Sequence, residues 1–307
     1  MYTVLLSSIA LDGTPNVPFI SILCMATALV MTVVAPIIAV RFARKTYYGK
    51  YRSLLFGMVM YILFDTVLFS VVMLAWSNIK TIGGSPVFMA IMASVLSGAI
   101  GVVGRTIAIY ALSKSTTVPE NTSLGNAVMS GVGYSFLEVP AMLISMGSNL
   151  IIALTINMFG VAYLADDMKG DEKGVDALLN VYEGFLTTPS YEFLVSGFRI
   201  ALIFILSISV SIVIYAVFYK KAHQLMLLFI TIINILAMLP VWMSTYNIGI
   251  KNQIGNLILM TLFVCWAAIL AYRTVRVPLR EEIEERELKE KGIVKKAFPD
   301  FNANIKK

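Results

Sequence analysis

The chain has 307 residues, of which 58% are hydrophobic and only 14% charged, with a mean hydropathy of +0.82. Those values exclude a soluble domain of this length and point to a polytopic membrane protein built from helices alone, an all-α bundle. The formal net charge of +6 suits an anionic inner leaflet, and no nucleic-acid partner is expected.

A spanning helix needs roughly 20 mainly apolar residues. Such runs lie near 17–40, 54–76, 86–112, 124–146, 147–165, 193–218, 222–244 and 254–272, which gives seven or eight spans. The first run follows a polar lead containing Pro15 and Pro18 and has neither a basic n-region nor a small-residue cleavage site, so it reads as a retained anchor. Basic residues accumulate in cytoplasmic loops. Arg41, Arg44, Lys45, Lys50 and Arg52 follow the first span, placing that loop inside and the lead 1–16 outside. Lys220, Lys221 and the tail beginning Arg273, Arg276 and Arg280 also fall inside if 124–165 crosses only once. The expectation is therefore seven full spans, with one segment of 124–165 re-entrant or interfacial; eight spans is the alternative. The predicted location is a bacterial cytoplasmic membrane, with the N-terminus outside and the C-terminus cytoplasmic.

The loop 166–192 is acidic, with Asp166, Asp167, Asp171, Glu172 and Asp176 against two lysines, and is expected outside. Within it, apolar residues at 175, 178, 179, 181, 182, 185 and 186 predict a half-buried helix lying on the outer surface. The tail 273–307 reads as cytoplasmic. Pro278 stands at a first helical position, with Glu281 and Glu282 in the first turn, Lys289 and Lys291 in the last and Gly292 as a stop. This short solvated helix is either a cap or, over 278–292, a docking element for a cytoplasmic partner.

Cys24 and Cys265 fall in apolar runs and read as small core hydrophobes. His223 is the single histidine and sits at a membrane boundary, so the three His or carboxylate ligands of a catalytic zinc are not available around it. No metal, cofactor or Walker-type phosphate loop is expected, and the small residues at Gly125, Ser130 and Gly133 read as helix-packing faces. Ionisable residues at membrane depth are costly and are paired or functional. Asp65, Arg105, Glu138 and Arg199 are the four candidates. By the helical rise, Asp65 lies near the midplane and Arg105 roughly 9 Å to its cytoplasmic side, while Glu138 and Arg199 lie on the external side. The expected pairs are Asp65 with Arg105 and Glu138 with Arg199.

Two glycine-rich stretches frame these residues: Gly98-Ala-Ile-Gly-Val-Val-Gly-Arg105 and Gly131-Val-Gly-Tyr-Ser-Phe-Leu-Glu138. They resemble the Gly-x-x-Glu-Glu-x-x-Arg and Gly-x-Gly-His-x-x-x-Glu motifs of the YhfC family of intramembrane metalloprotease-like proteins, relatives of the CAAX-processing and bacteriocin-immunity (CPBP) proteases. Gly98, Arg105, Gly131, Gly133 and Glu138 keep the frame, while Gly101 and Val102 replace the Glu-Glu pair and Tyr134 the histidine. Ser207 stands where the family carries another histidine, and Asn234 and Met238 replace His and Asp of a His-x-x-x-Asp-x-Pro pattern ending at Pro240. The resemblance extends over roughly 20–245.

It implies a metalloprotease scaffold without its base or metal ligands. Gly101, Val102, Tyr134, Ser207, Asn234 and Met238 are thus the degenerate catalytic positions. The cavity is expected to be lined by Asn126, Tyr134, Ser135 and the charged residues Asp65, Arg105, Glu138 and Arg199, with glycines 98, 101, 104, 125, 131 and 133 permitting close backbone approach or leaving a groove. The function expected is non-catalytic binding, chaperoning or assembly of another membrane protein, peptide or lipid. A transporter subunit with a polar intramembrane path and an active YhfC-like protease are the alternatives.

Overall fold

A computed structural model describes residues 16–79, 84–114, 123–168, 171–219, 222–246, 248 and 253–290, with the side chains of 167, 172 and 276–290 excepted. Eleven α-helices are described: α1 (Phe19–Tyr47), α2 (Tyr51–Tyr61), α3 (Phe69–Ser77), α4 (Pro86–Lys114), α5 (Leu124–Phe136), α6 (Glu138–Phe159), α7 (Val161–Asp167), α8 (Glu172–Thr187), α9 (Glu192–Tyr219), α10 (Leu225–Thr245) and α11 (Gln253–Glu290). A π-helical segment, Ile62–Leu68, joins α2 to α3. Seven of the helical stretches are long and apolar enough to cross a membrane: α1, α2 through α3, α4, α5 through α6, α9, α10, and α11 as far as Val275. The chain is an all-α, integral membrane protein. Its lipid-facing surface is apolar, with Ile144 71% exposed and Ile151 65% exposed, as expected where the surrounding solvent is hydrocarbon.

Successive spans alternate in direction, and contacts between their ends define two faces. Asn157 Oδ1, near the end of α6, accepts from the backbone N–H of Val17 at 2.7 Å, and Ser21 bonds Ser190 through their hydroxyls at 2.8 Å. The start of α1, the end of α6 and the start of α9 therefore share one face. That face carries Asp166, Asp171, Asp176, Glu183 and Glu192 and is called the acidic end. At the opposite, basic end, Asn126 Oδ1 accepts from Lys50 N at 3.0 Å, close to Arg41, Arg44, Lys45 and Arg52.

The 124–165 region bears out the single crossing that seven spans require, but not a re-entrant segment beside it among the described residues. It crosses once, as a 36-residue element, Leu124–Phe159, broken at Leu137. The break has a covalent cause: Pro140 has no N–H to give the carbonyl of Phe136. Every residue from Leu124 to Ser135 is buried, so α5 runs through the middle of the bundle between α1, α2, α4 and α9. Its small residues make this possible. A Cβ on Gly133 would strike the carbonyl oxygen of Leu54 and lie 2.9 Å from its Cα, and one on Gly125 would strike the carbonyl oxygen of Tyr47. The backbones of α5 and α2 are in contact where side chains ordinarily separate helices by 8–10 Å.

The apolar core centres on α9, with Leu206, Val210, Val213 and Ile214 fully buried against α5, α10 and α11. A second cluster at the acidic end bears out the amphipathic helix: Val175, Leu178, Tyr182 and Phe185 of α8 pack on Val17, Met25, Ala153, Ile156 and Val161. The Asp171 side chain accepts from Gly174 N at 3.0 Å and caps α8.

Two expectations are corrected. Cys265 is exposed and Cys24 half-buried, both with free thiols, so neither is a core residue; an outward-facing small apolar group costs nothing against lipid. The tail helix is not separate, because α11 runs unbroken from the last span through Pro278 to Glu290, the proline removing only one backbone bond. Lys220, Lys221, Lys291, Gly292 and the lead 1–15 lie outside the described residues.

The backbone contact predicts a sharp contrast between two glycines. Gly133→Val should abolish recovery of monodisperse protein in mild detergent. Gly184→Ala, where a Cβ meets nothing within 4 Å, should fold normally and gain up to about 1 kcal/mol from helix propensity. Equal recovery of both variants would contradict the packing described.

Candidate functional site

The four ionisable residues singled out from the sequence converge on one cavity of about 450 Å³ between the spans. Asp65, Arg105, Glu138 and Arg199 line it together with Tyr61, Phe69, Ser97, Ala141, Met142, Ser145, Ile200, Ile203, Asn234, Met238, Val241 and Trp242. Each wall follows helical spacing. Tyr61, Asp65 and Phe69 recur every four residues along the second span, and α10 contributes positions 234, 238, 241 and 242. Asp65 lies in the middle of the π-helical segment, a wide turn of the kind found frequently at functional sites.

Arg105 forms the floor and is only 5% exposed. Its Nε donates to Ser207 Oγ at 2.9 Å, and Ser207 in turn donates to the carbonyl of Gly131 at 2.7 Å. The guanidinium carbon stands 4.1 Å over the ring centroid of Tyr134, a desolvated cation–π contact of the order of 2 kcal/mol. The Tyr134 ring meets Tyr61 edge-on at 5.5 Å. Two glycines make room for this arrangement. A Cβ on Gly104 would lie 2.9 Å from Tyr134 Cε2, and one on Gly101 would lie 2.8 Å from Arg105 Nη1, 3.5 Å from Asn234 Nδ2 and 3.8 Å from Asp65 Oδ2. The missing side chain of Gly101 is thus the point on which a cation, an amide and a carboxylate converge.

Asn234 Nδ2 donates to the carbonyl of Gly98 at 2.9 Å, while its Oδ1 is buried without a partner. The Tyr134 hydroxyl faces Asp65 without closing a hydrogen bond and is likewise buried and unpartnered. Among the described residues the hydrogen bond that Arg105 makes to protein is the one from Nε, which leaves its terminal nitrogens facing the cavity. On the acidic-end side of the cavity, Phe69 stacks on Trp242 at 5.1 Å, and Trp242 Nε1 donates to Ser97 Oγ at 3.0 Å.

The expected ion pairs are not formed as direct contacts among the described residues. Asp65 and Arg105, like Glu138 and Arg199, act on each other electrostatically around the same space. Ser207 and the Tyr134 ring hold Arg105 in place, so it does not swing onto Asp65.

The degenerate motif positions come together with one exception. Gly101, Tyr134 and Ser207 contact Arg105, and Asn234 and Met238 line the cavity, whereas Val102 is 4% exposed within the apolar core. Asn126 and Ser135 do not belong to the site, and Tyr134 lies under Arg105 rather than in the cavity lining where it was expected. Asn126 holds the Lys50 backbone at the basic end, and Ser135 is buried outside the cavity lining. The idea of a glycine-lined groove is also corrected: Gly98, Gly125, Gly131 and Gly133 are filled by Ile235, Tyr47, Ser207 with Ser211, and Leu54, leaving Gly101 beside the polar cluster. Tyr61, Phe69, Ser97, Met142, Ser145 and Trp242 were missed; their spacing of four, seven or eight from Asp65, Glu138, Arg105 or Asn234 is the signal that marks them.

The described residues contain no group of three or more His, Cys, Asp or Glu placed to hold a metal, and Arg105 at the floor opposes a divalent cation there. His223 is exposed at the start of α10, its Nδ1 accepting from Leu225 N at 3.2 Å, about 16 Å along the helix from Asn234. No family model, curated protein or solved structure matches the chain.

The Ser207 bridge predicts a measurable stability difference. Ser207→Ala leaves Arg105 Nε buried without its acceptor and should cost about 1–3 kcal/mol in detergent-titrated unfolding. Ser209→Ala, which removes only a bond to Ile205 O of its own helix, should cost less than about 1 kcal/mol. Equal losses would mean that Ser207 does not support Arg105.

Proposed function

We propose that the protein is a non-catalytic membrane binding or assembly subunit that receives a polar group of a membrane peptide, partner helix or lipid in this cavity. The observation that carries the reading is a pair of buried polar atoms left without hydrogen-bond partners, Asn234 Oδ1 and the Tyr134 hydroxyl, beside the Arg105 guanidinium that forms the cavity floor. A buried polar atom without a partner costs about 1–3 kcal/mol, and an occupant with matching donors and acceptors would recover that cost. The convergence of the motif-matching residues on Arg105 supports descent from a YhfC-like protease scaffold with its reactive groups replaced. Arg105, Asn234 and Tyr134 can orient a ligand but supply neither a metal-bound water nor a nucleophile matched to a base. The basic end is read as cytoplasmic and the acidic end as external, with the bacterial cytoplasmic membrane as the location.

One observation favours a second reading. A transporter subunit needs a single polar space joining its charged residues, and Asp65, Arg105, Glu138 and Arg199 do line one cavity. Transport requires that a cavity cysteine be reachable from both faces in turn; binding requires access from one side only.

The binding reading is tested by what the protein carries. Wild-type protein purified in mild detergent should release on denaturation a lipid or peptide, identified by mass spectrometry, at near-stoichiometric amount. Ala141→Trp and Ser145→Trp fill the cavity from positions that are themselves exposed and should lose that species while eluting as wild type does. The same copurifying species in all three forms would overturn the proposal.

A further inference from the structure

A second cavity, of about 520 Å³, lies at the basic end and is lined by Val40, Arg41, Arg44, Lys45 and Tyr51. Three cations line it and no carboxylate does. Arg44 is held in place: its Nη1 donates to the Tyr51 hydroxyl at 2.8 Å and its guanidinium carbon lies 4.6 Å from the Tyr51 ring centroid. Arg41, Arg44 and Lys45 are all exposed. The same face of α1 continues into the membrane as an apolar stripe at helical spacing: Val30, Val33, Val34, Ile37 and Ile38, between 41% and 60% exposed. From Val30 to Arg41 is about 16 Å of helix, close to the roughly 15 Å hydrocarbon depth of one leaflet.

We infer that this cavity is a binding site for an anionic phospholipid, its phosphate and headgroup held by Arg41, Arg44 and Lys45 and one acyl chain lying along the Val30–Ile38 stripe. The arrangement is amphipathic in the order a lipid requires, with cations at the membrane surface and apolar surface one leaflet deep beneath them. Charge complementarity selects the anionic lipid over a zwitterionic one, whose ammonium would meet three cations with no carboxylate to receive it. The planar guanidinium of Arg44, fixed by Tyr51, offers its remaining N–H groups as a fork to phosphate oxygens. Arg52 provides an internal control, being basic, exposed and at the same end but outside the cavity, with its guanidinium 5.8 Å from the Phe56 ring.

The test is native mass spectrometry of the full chain released from nanodiscs of mixed phosphatidylglycerol and phosphatidylcholine. The wild type should retain phosphatidylglycerol in preference to phosphatidylcholine. Arg41→Gln and Lys45→Gln should each lower that preference about fivefold, and the double variant about 25-fold, from roughly one unit of surface charge attraction per cation. Arg44→Lys should keep part of the preference that Arg44→Gln loses, and Arg52→Gln should keep it all. All these positions are exposed, and each variant is confirmed as folded by its elution profile. No preference in the wild type, or an equal loss on Arg52→Gln, would overturn the site. So would displacement of the bound lipid by millimolar glycerol phosphate, which would mark a site for soluble anions.

Discussion

A guanidinium buried among membrane-spanning helices is costly unless the surrounding protein holds it, and the centre of this bundle is arranged around that demand. Arg105 is met on one edge by Ser207, on one face by the Tyr134 ring, and across Gly101 by Asn234 and Asp65. Each contact draws in another span. Ser207 belongs to α9 and ties Arg105 of α4 to Gly131 of α5; Tyr134 comes from α5, Asn234 from α10 and Asp65 from the π-helical turn of the second span. A single cation at membrane depth, costly by any measure, therefore fixes the relative positions of five spans.

The close contact between α5 and α2 supplies the geometry that the cation needs. Because Gly57 and Gly133 let the α2 and α5 backbones rest directly on each other, Tyr134 is carried under Arg105, and Tyr61 is brought against it edge-on. Gly104 then leaves the space that the Tyr134 ring occupies. The result is a tightly packed floor below an open chamber. Above that floor the walls separate. α6 packs on α1, so Glu138, Ala141, Met142 and Ser145 face the chamber from one side, while the Phe69–Trp242 stack borders it on another.

Much of the fold was legible because hydropathy and helix length are direct consequences of the bilayer. Seven spans, the amphipathic α8 and the segregation of basic and acidic ends follow from residues that water or hydrocarbon would reject. The central burial of α5 was not legible, since a run of Gly, Ala and Ser reads equally as a re-entrant segment until a partner backbone is seen lying on it. The cysteines show the same limit: lipid accepts an exposed thiol, so apolar character alone does not place Cys265 inside. At the site, the four ionisable residues were found by their cost, and the motif frame pointed to Tyr134, Ser207 and Asn234. Direct ion pairing was the wrong inference because Arg105 is held by a hydroxyl and an aromatic face, neither of which announces itself as an ion partner. Asn126 was misplaced because an amide can serve a backbone N–H at a helix entry as readily as a cavity.

The account rests on a polar chamber in the membrane interior, and adjacent residues of α6 allow a direct measurement of it. Ser145 faces the chamber, whereas Ile144 is 71% exposed on the outer surface of the bundle. With Cys24 and Cys265 replaced by serine, the rate of modification by a charged, membrane-impermeant thiol reagent can be compared in liposomes for Ser145→Cys and Ile144→Cys. The structure predicts fast modification at 145 and slow modification at 144, because only the chamber admits water. Equally slow modification at both positions would show the chamber to be closed and dry, and would contradict the account at its centre.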